Sequence, residues 1–220
     1  MRSAFVSRSP IFRIALTIAS FGLFTGCSGG TPEQDFWVWF ENSQETLFNF
    51  QKDQERIFDP LGTQLHIVNP NLTFEFAPIE DGRREFTISA DGIKAAFPAV
   101  ESLYAAAPPL PRWKILKFRQ RREPTDISFK GVRASARSVL VVVDPGVEKS
   151  NLTVFVPGYS VAQRNTYMSI VFLMLDQALG EFDVETRVGK IEVADASQAT
   201  EKAGGLDTLP ATFDALYRVH

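Results

Sequence analysis

The chain has 220 residues, of which 45% are hydrophobic and 22% are charged, and this composition excludes an intrinsically disordered protein. Its formal net charge of −3 gives no indication of nucleic-acid binding. Because Cys27 is the only cysteine, the chain cannot form an internal disulfide or a thiolate metal site.

The first 26 residues have the pattern of a bacterial lipoprotein signal peptide. Three arginines and no acidic residue accompany an apolar run over 14–24, which is shorter than the about 20 residues needed to cross a bilayer. Thr25 and Gly26 are small residues directly before Cys27. Phe24 departs from the pattern, since such signals usually have leucine three residues before the cysteine. An ordinary secretory signal followed by a stray cysteine is the alternative.

We therefore predict that residues 1–26 are removed and that the thiol of Cys27 carries lipid, with a tether over 27–32. Two or three acyl chains on one cysteine give stable anchoring. The predicted location is the bacterial cell membrane. In a Gram-negative host, Ser28 next to the cysteine favours the outer membrane over the inner one. The first predicted partner is thus the membrane itself.

The remaining elements alternate between helices and hairpins. Thr31 and Pro32 indicate a helix start, and the apolar spacing extends that helix to about residue 58. Alternating segments then predict a hairpin over 72–77 and 85–89, followed by a helix over 93–107. Pro98 within it indicates either a kink or a start near residue 97.

In the second part of the chain, the sequence predicts strands over 113–119, 138–143 and 152–156. A largely apolar helix over 159–180 follows and ends at Gly180. The segment 183–193 reads as mostly extended, and 209–218 as a terminal helix. No repeat is visible in the sequence. These elements predict one α+β domain over 33–220, with a largely antiparallel mixed sheet and helices packed on it.

Five consecutive bulky residues over 36–40 lie close to the predicted lipid. A helix cannot direct all five to one side, and Trp and Phe are common at membrane interfaces. Packing beneath the domain is the favoured interpretation, and contact with the bilayer is the alternative.

An acidic cluster near the end of the apolar helix is the best candidate for an enzymatic site. If the chain is extended there, three of its carboxylates alternate onto one face, where they would raise one another's pKa or bind a hard cation. The alternative is a solvated strand edge. The residues are Asp176, Glu181, Asp183 and Glu185.

A basic segment over 112–137 is the candidate for an anion-binding face. Such a run of cations could meet anionic lipid headgroups, or it could pair with the acidic last third of the chain. The residues that would form the face are Arg112, Lys114, Lys117, Arg119, Arg121 and Arg122.

No phosphate-binding loop, dinucleotide fingerprint or nucleophile elbow occurs, and no cofactor is predicted. Only two histidines are present. His66 lies beside apolar neighbours in a short predicted helix, and we interpret it as a structural histidine.

Several stretches resemble a group of uncharacterised bacterial proteins of unknown function. The resemblance implies one compact domain and transfers no catalytic residue, substrate or cofactor. The stretches are 36–40, 72–76, 88–92, 109–113 with 118–119, and 175–181.

These observations predict a lipid-anchored envelope protein that acts as a binding or interaction module, with an envelope protein or an anionic lipid as its partner. One alternative is a metal-assisted or carboxylate-based hydrolase that uses the acidic cluster. Another is an immunity-type protective lipoprotein whose acidic third masks a basic partner.

Overall fold

Helices and strands follow one another along residues 29–217, which are the residues that the computed structural model describes. Cys27 and the predicted signal peptide lie outside the described residues. The helices are α1 Pro32–Phe48, α2 Gln54–Val68, α3 Phe97–Ala105, α4 Arg164–Leu179, α5 Glu181–Arg187 and α6 Leu209–Tyr217. The strands are β1 Thr73–Glu80, β2 Arg83–Ser89, β3 Trp113–Lys117, β4 Ile127–Phe129, β5 Val132–Ala134, β6 Leu140–Asp144, β7 Ser150–Val156, β8 Val188–Asp195 and β9 Gly204–Gly205. The predicted α+β class is confirmed.

The described strands form three sheets, where the sequence predicted one. Their orders are β1-β2-β3, β4-β5 and β8-β7-β6-β9. Strands β2 and β3 pair in parallel, as do β7 and β8, and the remaining pairs are antiparallel. In each of the two larger sheets, the helical segment after the hairpin leads directly to the strand that pairs with it in parallel. The two sheets are therefore built from neighbouring segments of the chain and stay separate.

The same succession of elements occurs twice. A hairpin, a helical crossover and a parallel strand follow one another in β1–β2–α3–β3 and again in β6–β7–α4–α5–β8. A parallel pair requires such a crossover, because the chain must return to the same end of the sheet. The sequence shows no repeat, so the repetition lies in the topology.

Each of these units has its own hydrophobic core. The buried apolar residues of 29–118, here called the N-terminal half, form one cluster that is rich in aromatic rings. Those of 127–217, the C-terminal half, form a second cluster that is mainly aliphatic. The two clusters share no residue, so the linker over 119–126 and the side chains around it have to join the halves.

Helix α1 starts as predicted, with Pro32 in its first turn and Thr31 as the cap. The Thr31 hydroxyl accepts a hydrogen bond from the backbone N–H of Gln34, whose side chain accepts from the N–H of Thr31 in return. The aromatic residues Phe36, Trp37 and Phe40 are buried in the N-terminal core, which confirms the favoured interpretation of the 36–40 segment.

Helix α1 ends at Phe48, ten residues before the predicted end. A short 3-10 turn over Phe50–Lys52 separates it from α2. The fully buried Arg84 holds this break, because its Nε donates to the carbonyl of Phe48 at 3.1 Å and its Nη1 to that of Ala77 at 2.7 Å. A cation at the carboxyl end of a helix also interacts favourably with the helix dipole.

The predicted extended segment over 183–193 is wrong in its first part. Gly180 ends α4 as expected, but its φ of 79° redirects the chain into a second helix, α5. Glu181 and Asp183 lie in the first turn of α5, where the helix dipole favours acidic side chains. The strand β8 begins only at Val188. Among the described residues, no helix is long and apolar enough to span a membrane.

Candidate functional site

Phe118, the residue directly before the linker, has an unusual backbone conformation. Its φ of 61° lies in the left-handed region, which is rare for a bulky residue. The N–H of Phe118 still donates to the carbonyl of Ile88 at 2.7 Å, so the turn is fixed to β2. Arg119 and Arg121 follow, and both reach carboxylates of the C-terminal half.

Arg119 connects the two halves through one guanidinium group. Its Nε contacts Oε1 of Glu75 in β1 at 2.7 Å, its Nη2 contacts Oδ1 of Asp91 after β2 at 2.6 Å, and its Nη1 contacts Oδ2 of Asp176 in α4 at 3.3 Å. Only 10% of the Arg119 side chain is exposed. Burial alone lowers the pKa of Arg119, but the charge of Glu75 and the contact with Asp91 outweigh it and raise that pKa overall.

Glu181 joins the halves through backbone groups. It is fully buried, and its Oε1 accepts hydrogen bonds from the N–H of Ala90 at 2.9 Å and of Gly92 at 3.2 Å. Its Oε2 accepts from the N–H of Arg119 at 3.1 Å. A side chain of the C-terminal half thus satisfies buried donors of the N-terminal half that would otherwise remain unpaired.

Arg121 extends the connection into the C-terminal half. Its guanidinium pairs with Asp183 in α5 and with Oδ1 of Asp214 in α6, the latter at 2.7 Å, and its Nε donates to the carbonyl of Leu179 at 2.9 Å. Burial lowers the pKa of Arg121, but the hydrogen bonds that its guanidinium donates to Asp214 and Asp183 raise that pKa more. The linker is therefore held by three helices.

The carboxyl group of Asp176 titrates well above its ordinary range. Burial raises the pKa of Asp176 to about 6, against the opposing charge of Arg119, and the negative charges of Glu181 and Glu185 add to the rise. The pKa of Glu185 is also raised, by burial first, with Lys149 opposing and Glu181 adding. Burial is thus the main reason that both carboxyl groups titrate above their ordinary values.

The structure brings the predicted acidic cluster together, but not on a strand. Asp176 and Glu181 contact the linker residue Arg119, and Asp183 contacts both Arg121 and Arg187. All four residues lie on α4 and α5. The carboxylates of Asp176, Glu181 and Asp183 are engaged with partners inside the protein, so the arrangement stabilises the junction.

The predicted basic face is paired internally as well. Arg119 and Arg121 bind residues of the acidic cluster, and the remaining cations bind carboxylates that the sequence did not single out. These pairs are Arg112–Glu45 at 2.6 Å, Lys114–Glu85 at 2.6 Å, Lys117–Glu101 at 3.0 Å and Arg122–Glu75 at 3.7 Å. The geometry favours internal pairing over an anion-binding face.

A cleft of about 460 Å³ opens beside this junction. Phe118, Leu179 and Phe182 form its apolar wall, and Lys117, Gln120, Arg121 and Asp183 supply polar groups. Phe182 is 43% exposed and its ring lies 5.3 Å from that of Phe118. Sequence reasoning missed this cleft, although a large aromatic residue between Glu181 and Asp183 was a visible sign of it.

A second, larger cleft of about 710 Å³ lies between α1 and α2 and is lined mainly by polar residues. The junction cleft is the stronger candidate, because exposed aromatic surface and convergent polar groups are typical of binding sites. His66 is exposed on α2 and lines neither cleft. Within residues 29–217, no group of three or more His, Cys, Asp or Glu side chains is placed to hold a metal ion.

A comparison of the chain with known protein families, curated proteins and solved structures finds no match. The resemblance to uncharacterised bacterial proteins therefore stays a prediction.

Proposed function

We propose that this protein is a lipid-anchored envelope protein that acts as a binding module through the junction cleft. The observation that carries the proposal is the exposed ring of Phe182. It forms part of the aromatic wall of the cleft, beside the charged side chains of Arg121 and Asp183. Aromatic side chains beside a few convergent polar groups in a cleft are typical of binding sites. The rare backbone conformation at Phe118 adds support, because such conformations cluster at functional sites.

Binding is better supported than catalysis, because the charged groups beside the cleft already have partners. Asp176 has a pKa in the range of a general acid, yet it pairs with Arg119 and does not line the cleft. The hydrolase alternative is therefore less well supported. The immunity-type alternative is weakened too, since Asp176, Asp183 and Glu181 are engaged internally and cannot mask a basic partner.

The lipid anchor is tested by replacing Cys27 with serine. We expect the variant protein to leave the membrane fraction and appear in the soluble fraction, because serine cannot receive the thioether-linked lipid. Cell fractionation with immunodetection measures this, and the wild-type protein should resist a high-salt wash. If Cys27→Ser stays with the membranes, lipid on that residue is not what holds the protein.

The cleft is tested by placing a photocrosslinking amino acid at position 182 in the anchored, full-length protein. We expect a discrete crosslinked species, because a bound partner would lie against this side chain. Position 172 is the matched control, since Phe172 is 41% exposed on α4 and does not line the cleft. Identical crosslinking patterns at the two positions would contradict a role for the junction cleft.

A further inference from the structure

The segment 102–110, which packs near the start of α1, is partly exposed and contains no charged residue. From 102 to 110, at the end of α3 and beyond it, the sequence contains only Ser, Leu, Tyr, Ala and Pro. Tyr104 is 40% exposed, and Ala105 and Pro109 are exposed as well. On the neighbouring helix α1, Val38 is 58% exposed.

This surface adjoins the start of α1. The indole N–H of Trp37 donates to the carbonyl of Leu103 at 2.7 Å, which fixes the last turn of α3 against the first turns of α1. The six residues from Thr31 to Trp37 advance about 9 Å along the helix axis. The four residues from Cys27 to Thr31 span at most about 14 Å when fully extended. The surface is therefore within a few nanometres of the predicted lipid.

We propose that the surface formed by Val38, Tyr104, Ala105 and Pro109, here called the anchor-proximal surface, rests on the bilayer that holds the lipid of Cys27. This inference rests on the proposed lipid anchor. Tyrosine prefers the boundary between water and hydrocarbon, because its ring is apolar and its hydroxyl is polar. Since Phe36, Trp37 and Phe40 are buried, this surface takes the interfacial position that the sequence suggested for those aromatics.

The charges around the surface define the kind of contact. The Nζ atom of Lys117 lies 5.8 Å from the ring centroid of Tyr104 and pairs with Oε1 of Glu101 at 3.0 Å. Glu33 and Asp35 lie in the first turn of α1. Because these charges do not sum to a positive patch, the contact is apolar, and we expect it to be insensitive to salt and to anionic lipid.

The test uses Tyr104→Trp in the full-length lipidated protein, bound to phosphatidylcholine vesicles whose acyl chains are brominated near the headgroup. Bromine quenches nearby tryptophan fluorescence. After subtraction of the wild-type signal, we expect at least twofold stronger quenching at position 104 than in the matched control Leu216→Trp. Leu216 has similar exposure, 41%, on α6 of the C-terminal half.

The outcomes separate the two proposals. Equal quenching at both positions, with the protein sedimenting with the vesicles, would overturn the anchor-proximal surface and leave the lipid anchor intact. Loss of sedimentation would overturn the anchor and, with it, this inference. Quenching that disappears at high salt would show an electrostatic contact and contradict the apolar one.

Discussion

Replacing Arg119 with methionine should lower the free energy of unfolding by about 3–5 kcal/mol, the cost typical of removing one partner from a buried ion pair. The variant would leave Glu75, Asp91 and Asp176 near one another without their shared cation. Urea denaturation followed by circular dichroism measures the change. Because the two hydrophobic clusters share no residue, we also expect the single transition to broaden or divide.

The matched control is Arg133→Met. Arg133 pairs with Asp126 at 3.2 Å, but 73% of its side chain is exposed. Solvent screening leaves such an exposed pair only a small contribution to the free energy of unfolding. Both variants lose one arginine, so the difference between their free energies of unfolding measures what the buried contacts of Arg119 contribute. Equal decreases in the two variants would contradict the role of Arg119 in joining the halves.

Asp176→Asn should make the protein more stable at neutral pH and flatten its stability between about pH 4 and pH 7. The folded-state pKa of about 6 lies above the ordinary value of 3.8, so the protonated carboxyl favours the folded state. Stability therefore falls as the pH rises through this window, by up to about 3 kcal/mol at 1.36 kcal/mol per pKa unit. Asparagine removes the titration and can still accept a hydrogen bond from Arg119.

Denaturation midpoints measured at several pH values in this window test the prediction. Asp126→Asn is the control, because hydrogen bonds from Ser135 and Arg133 lower the pKa of Asp126 below its ordinary value. That residue therefore titrates below the window, and its variant should keep the wild-type slope. Because the pKa of Glu185 is raised as well, a shallow slope should remain in Asp176→Asn, whereas a slope as steep as that of the wild type would assign the pH dependence to another group.

Local signals predicted the elements that depend on a few neighbouring residues. Thr31 and Pro32 start α1, Gly180 ends α4, and the alternating segments 72–77 and 85–89 pair in the first hairpin, each through chemistry contained within a few positions. The break after Phe48 was not predictable in this way. It depends on Arg84, which is distant in sequence and donates to the Phe48 carbonyl from another element.

The candidate site shows the same limit. The acidic cluster and the basic segment were both visible as patterns, and their mutual pairing was one of the alternatives. Which residues meet was not visible, because Arg121 and Asp214 are 93 positions apart and Arg119 and Asp176 are 57 apart. The extended assignment of 183–193 failed over 183–187, because acidic residues at the start of that stretch fit both a charged strand edge and the first turn of a helix.

The hydrogen bonds of Glu181 have a consequence for the autonomy of the two halves. A fragment that ends at residue 118 would have its own sheet and its own core, yet the N–H groups of Ala90 and Gly92 would lose their acceptor. The loop between β2 and α3 is therefore finished only by a residue translated about 90 positions later. Although the topology occurs twice, the native hydrogen bonding of the first copy includes a carboxylate that the second copy supplies.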